Sequence, residues 1–232
     1  MREAAARRLT LGTALAIFGV CSYTPLPRVR SDRGSRSGPS SVRSPVSPPR
    51  SAAPSRRPAA PPAYVELHCH SAFSLLDGAS LPEALVTRAH ALGLPALALT
   101  DHDELGGVVR FAEAARTAGL GGILGVELTV DVPDDAGPRR THLVLLAETR
   151  EGYGNLSWLV TRARMDRPRG EPVVSLDLLA QHTAGVFALT GCPRGWVPQL
   201  AREGRLREAR RALGVLADCF GERLAVEVWD HG

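Results

Sequence analysis

From residue 63 onward, apolar positions come in short runs separated by polar, periodic stretches. "YVELH" (64–68) reads as a short strand. "PALALT" (95–100), "GILGVELTV" (122–130), "THLVLLA" (141–147), "GVFALTG" (185–191) and "RLAVEVW" (223–229) read as further strands. Their nearly continuous apolar character fits a sheet covered on both faces. Helical patterns lie between them. "PEALVTRAHALG" (82–93) opens on Pro82, ends at Gly93 and sets Leu85, Ala89 and Leu92 on one face. "GVVRFAEAARTAG" (107–119), "GYGNLSWLVTRAR" (152–164), "SLDLLAQH" (175–182) and about 205–219 follow. Strands alternating with helices predict parallel strands and right-handed crossovers. No glycine-rich phosphate fingerprint follows the first strand, which disfavours a dinucleotide-binding sheet. The conspicuous polar residues fall at strand ends, where a (β/α) barrel carries its site. The predicted fold is therefore α/β and barrel-like, over residues 63–232.

Residues 1–62 have a different texture. They hold ten of the eighteen prolines, and eleven arginines against Glu3 and Asp32, a net +9. The rest carries seventeen arginines against twenty-two acids, a net −5. The basic pI near 9.2 thus belongs to the leader, and it does not make the folded part a nucleic-acid binder. "RRLTLGTALAIFGVC" resembles a signal peptide, but its apolar run is too short to span a bilayer and no cleavage site follows clearly. Residues 24–62 lack apolar periodicity, and the leader is expected to be disordered. Cys21, Cys69, Cys192 and Cys219 show no framework spacing. A chain this long buries a core without disulfides, so a reducing cytoplasm is the default.

The candidate chemistry sits at the strand ends. In "HCHSAFSLLDGAS", His68 and His70 share one face of an extended chain and Cys69 the other. Two neutral imidazoles are half a metal site. Gly78 permits a tight turn that carries Asp77 back over the strand. The second strand ends in "TDHD", with Asp101 and His102 on opposite faces. The third carries Glu127, the fourth opens on His142, and the fifth ends in "TGCP" with Cys192. Each member has a bland alternative. His90 and His182 read as ordinary helix residues. Asp103 and Glu104 read as first-turn residues of the next helix, and Cys69 as core. The conjunction over successive strand ends is what points to a site for two or three divalent ions.

This pattern resembles the PHP (polymerase and histidinol phosphatase) domain over residues 64–232. The family's His-x-His is matched by His68 and His70, its "SLLDGA" aspartate by Asp77, and its "TDHD" histidine by His102. Its G-x-E glutamate is matched by Glu127, the histidine opening the next strand by His142, and the "TGCPRG" cysteine by Cys192. The wording, "VEVWDHG" included, is most similar to the N-terminal domain of the error-prone branch of bacterial C-family DNA polymerases.

The resemblance implies a cluster of two or three ions of Zn, Mn or Mg. His68, His70, Asp77, His102, Glu127, His142 and Cys192 would be ligands, and Asp101 an outer residue that orients them. No side chain stands out as a separate general base, which leaves activation of the attacking water to the metals. The implied activity is phosphoester hydrolysis, as a 3′–5′ exonuclease within a polymerase of DNA replication and repair. The family's last motif, Asp-x-His or Asn-x-His, is expected beyond Gly232, followed by the polymerase core domains through which DNA would be met. The chain is therefore expected to be a fragment, truncated in its barrel, cytoplasmic and without a membrane partner. Two alternatives stay open. One is a catalytically silent domain stapled by metal; the other is a free-standing phosphatase of the histidinol phosphate type.

Overall fold

The computed structural model describes residues 64–135 and 137–229, together with the backbone of Ile17–Phe18, all within one compact unit. The expected disordered leader and its signal-like stretch otherwise lie outside the described residues. Strand β1 (Ile17–Phe18) pairs in parallel with β8 (Glu227–Val228). Between these come α1 (Pro82–Ala91), β2 (Ala96–Leu99), α2 (Val108–Ala118), β3 (Gly121–Val132), β4 (Arg139–Ala147) and α3 (Arg150–Met165). Then follow β5 (Val174–Ser175), α4 (Leu176–Ala180), β6 (Val186–Leu189), α5 (Trp196–Arg202), α6 (Leu206–Phe220) and β7 (Leu224–Ala225).

Local chemistry accounts for the helix limits. Pro82 occupies the first turn of α1, and Gly119 ends α2 at φ 68°. Thr149 caps α3 by accepting from the Gly152 amide, and Ser175 caps α4 by accepting from Leu178. "YVELH" forms no ladder; it is extended backbone with one bridge, Glu66 to Leu97.

The main sheet runs β2-β3-β4-β6-β7, with β5 also on β3. The all-parallel expectation is corrected here. β2 runs parallel to β3 and β6 to β7, but β4 is antiparallel to both β3 and β6. The reason is local: only "PDDAGP" separates β3 from β4, and so short a link makes a hairpin, not a crossover. Reversal of β4 has a functional result. Its first residues lie at the edge where the parallel strands end.

Three apolar clusters hold the sheet among the described residues, a small one joining β2, β4 and β6 through Ala98, Val144 and Leu189. The largest joins β3, β4 and β6 to α3 and α6 through residues such as Leu128, Leu145, Leu156 and Leu216. The other packs α1 and α2 on β2 through Val86, Leu99 and Phe111. Burying one such aliphatic side chain contributes about 1.5–3 kcal/mol.

Candidate metal centre

The chain passes β2, continues through Thr100 and Asp101, and bridges β3 where His102 meets Glu127. The segment holding His68 and His70 lies along β2 on its other side. Cys69, between them, points into the α1–α2 core and is buried, as its alternation requires. On the hairpin, His142 pairs with Thr129, one same-face position from Glu127. Three strand paths thus bring four imidazoles around one carboxylate.

Glu127 is 2% exposed, and each of its oxygens faces two rings. Oε1 lies 3.4 Å from His68 Nε2 and 3.1 Å from His142 Nδ1. Oε2 lies 3.5 Å from His70 Nε2 and 2.9 Å from His102 Nδ1. Two triplets could each hold an ion: His68, His70 and Glu127, and His102, His142 and Glu127. Glu127 belongs to both. The cavity above them is about 320 Å³ and is also lined by Asp77, Cys192, Arg194 and Trp229.

The electrostatics follow from this packing. Burial opposes the charge on His68, but the neighbouring carboxylates of Glu127 and Glu227 outweigh it and push the imidazole up to about 9. Burial likewise opposes charging His102, yet Asp103 and Glu127 raise it to about 10. His70 is lowered, chiefly by burial. Burial would raise Glu127, but His102, His142 and His68 hold it far below the usual carboxylate range. Burial pushes the Cys192 thiol up, and the Glu127 charge adds to the effect.

A divalent cation fits this donor set. Imidazole and carboxylate suit Zn, Mn and related ions. His70 Nε2 and Glu127 Oε1 are buried without a hydrogen bond, a deficit that a cation relieves.

The expected residues divide into three groups. His68, His70, His102, Glu127 and His142 come together. Cys192 lies beside them, with Sγ 3.5 Å from His142 Nδ1. Asp77 lines the cavity but stands outside both triplets. Gly78 closes the turn behind it so tightly that a Cβ there would lie 1.9 Å from the Ser71 carbonyl oxygen. Asp101 works one step further out than expected. Its carboxylate accepts from the Ser71 amide (2.6 Å) and from the Ser71 and Ser74 hydroxyls (both 2.8 Å). It therefore fixes the loop after His70. Ser74 Oγ in turn accepts from the His102 amide at 2.9 Å.

Asp103 departs from its expected place in a helix. It is buried at φ 50°, five residues before α2, and accepts from the Thr129 amide (2.7 Å) and hydroxyl (2.6 Å). Its Oδ2 is also 3.0 Å from His102 Nε2. His90 and His182 stay outside the cluster, as expected; His182 stacks on Trp158 at 4.0 Å.

Glu227 was missed from sequence. Buried on β8, it accepts a 2.7 Å hydrogen bond from His68 Nδ1 and another from Trp229 Nε1. It thereby turns His68 Nε2 toward Glu127, as an outer carboxylate does for a ligating histidine. Period-two alternation in "VEVW" puts Glu227 and Trp229 on one face, the one signal available. Arg194 at the cavity mouth had none.

A profile of the PHP domain matches residues 66–231. An error-prone DNA polymerase of Cutibacterium acnes is 48% identical over 176 residues, covering 72% of this chain and 15% of that protein. The Mycobacterium tuberculosis error-prone DNA polymerase is 45% identical over 179 residues, covering 73% and 16%. The DNA polymerase III subunit alpha of Treponema pallidum is 39% identical over 178 residues, covering 73% and 15%. The chain thus spans about a sixth of the length of these relatives. Among solved structures, an amidohydrolase from Chromobacterium violaceum overlaps 43% of this chain and 33% of that one, at 34% identity and a TM-score of 0.37. With its profile match over most of its length, and its imidazoles gathered about one glutamate, the chain belongs to the PHP domain family.

Proposed function

We propose that the chain is the PHP domain of an error-prone DNA polymerase acting in DNA repair in the cytoplasm, and that it hydrolyses phosphodiesters at a cluster of divalent ions, as a 3′–5′ exonuclease. One observation carries the reading. Glu127 alone belongs to both triplets, with His68 and His70 on one side and His102 and His142 on the other, so it would be the carboxylate shared by two ions. Cys192 and Asp77 complete the ligand set, the first as thiolate once a cation offsets its burial.

Bound ions would supply charge to the phosphoryl oxygens and acidify a coordinated water. The chain's own residues do the rest. Glu227 holds His68 by its Nδ1, so that Nε2 faces the site. Asp103 and Glu127 hold His102 from its two nitrogens. Asp101 fixes the Ser71–Ser74 loop, which sets the position of Asp77. Arg194, exposed at the mouth, faces the side from which an anionic substrate enters. DNA, and the remaining polymerase domains, would be the partners.

The test is a 5′-labelled single strand incubated with the chelator-treated chain and added Mn or Zn. Shortening from the 3′ end only with metal is expected. Glu127→Gln should lower the rate by at least about a hundredfold, the usual scale for a lost catalytic group. Stoichiometric metal binding with no cleavage would overturn the reading in favour of a metal-stapled structural domain.

A further inference from the structure

A second cavity, about 720 Å³, opens on the far side of His102. Its wall carries Arg140, Arg164, Arg167 and Arg169, with Leu75 on the rim. This concentration of cations stands out on a folded unit whose net charge is −5. We propose that this groove binds the backbone phosphates of a single nucleic-acid strand whose end lies in the metal centre. The inference rests on the phosphodiesterase reading and adds to it where the substrate runs.

Arg164 and Arg167 are fixed from behind and open in front. Arg164 donates from Nε and Nη2 to the Asp103 carbonyl at 3.1 and 2.9 Å, and from Nη2 to Glu104. Asp131 anchors Arg167 at 3.3 Å and lies 3.9 Å from Arg140. Asp131 is 20% exposed, against 40% for Arg167 and 54% for Arg140. Asp131 therefore sits beneath Arg167, whose guanidinium faces the solvent with donors to spare, while Arg140 also pairs at 3.3 Å with Glu171, an exposed carboxylate on the groove wall. Arg169 has no hydrogen bond or ion pair among the described residues. Asp103 contributes little negative field to the groove, because its carboxylate is taken up by Thr129 and His102.

Several arginines spread over β4, the end of α3 and the following loop are more than one phosphate needs. They suit a chain of phosphates, which guanidinium forks bind well. Among the described residues no aromatic ring but His102 lines the groove, so they offer bases no stacking platform there. The binding should be indifferent to sequence and sensitive to salt. The geometry also links the two cavities. His102 lines the groove and also belongs to the cluster with Glu127 and His142, which line the first cavity, so the groove lies directly beside the metal centre.

The leader's eleven arginines also attract DNA, so the readout must be local. The whole chain in chelator is treated with phenylglyoxal, with and without a thymidine oligonucleotide of about twelve nucleotides, a usual site size. Modification is read per residue by mass spectrometry. Arg164, Arg167 and Arg169 should react at least about fivefold more slowly with the strand, and the protection should fade as salt rises. Exposed Arg88 on α1 should be unaffected. Equal rates at Arg167 and Arg169 with and without the strand would overturn the groove. So would equal protection by inorganic phosphate, which would mark a single-anion site.

With metal, Arg167→Ala/Arg169→Ala should raise KM for the oligonucleotide about tenfold, the loss of two phosphate contacts. Arg88→Ala should not. The wild-type chain is also assayed on bis(p-nitrophenyl) phosphate, a diester too small to span both cavities. Cleavage of that ester with unprotected arginines sinks the groove alone. Protected arginines with no cleavage of either substrate uphold the groove and sink the hydrolase reading.

Discussion

Glu127 is a buried carboxylate whose charge is balanced by imidazoles. In the metal-free chain this balance keeps His68 and His102 protonated, with values near 9 and 10. A divalent ion needs neutral imidazole, so binding must displace protons. Both histidines titrate above the ordinary value of 6.5. Their stabilisation is complete below that value and is lost as pH rises through 9 to 10. Metal-free protein should therefore become less stable from pH 7 to 10, while its metal affinity rises over the same window. Calorimetry in two buffers of different ionisation enthalpy should show about one to two protons released on metal binding at pH 7. A heat independent of buffer would contradict the protonated state. The imidazoles themselves were legible in the sequence, because His-x-His alternation and strand-end position are local features. Glu227 and Asp103 were not. An acid in a short strand or before a helix looks alike whether it faces solvent or a histidine. Only packing over 159 residues of separation brings Glu227 to His68.

The elements explain why donors so scattered converge. Most strands and helices stood out by their apolar spacing, since β2, β3, β4, β6, α1, α2 and α3 are long and uniform enough to show it. The strand–helix alternation predicts a parallel β4, which is antiparallel, although the six-residue link before it carries that information. The two-residue β5 and the separate helix α5 gave no usable pattern; their form comes from packing on β3 and α6. The loop from Ser71 to Ser80 is the element most exposed to a point change. Leu76 stands at φ 73°, fully exposed, and Gly78 presses on the Ser71 carbonyl. Gly78→Ala must displace that backbone, at about 1–3 kcal/mol for overpacking. The same shift moves Ser71 and Ser74 away from Asp101, and Asp77 away from the cavity. The variant should melt lower and bind metal at least about tenfold more weakly, on the scale of a lost outer partner. Unchanged metal affinity, read by titration calorimetry, would show that the loop does not support the site.

At the scale of the whole molecule, charge and metal act together. Four arginines line the cavity on one side of His102, and carboxylates and imidazoles dominate the cavity on the other, in a folded unit whose net charge is negative. Among the described residues no helix is long and apolar enough to cross a membrane. The cluster joins three strand paths that the sheet ladder and the apolar clusters also hold together. An ion bound by His68, His70 and Glu127 would tie the β2 side to β3, and one bound by His102, His142 and Glu127 would tie β3 to β4. Because those ligands come together only in the folded chain, metal must stabilise the fold by mass action. At a free concentration a hundred times Kd the gain is about 2.7 kcal/mol per independent site. For a domain of this size each kcal/mol raises Tm by about 2–4 °C. Saturating Mn or Zn should therefore raise Tm by roughly 5–10 °C per site, and chelator should reverse it. Glu127→Gln keeps the side-chain shape but removes the shared charge, so both sites should weaken at once and nearly all of the shift should vanish. If the variant kept half the wild-type shift, the two ions would not share Glu127, and the bridging geometry would be wrong.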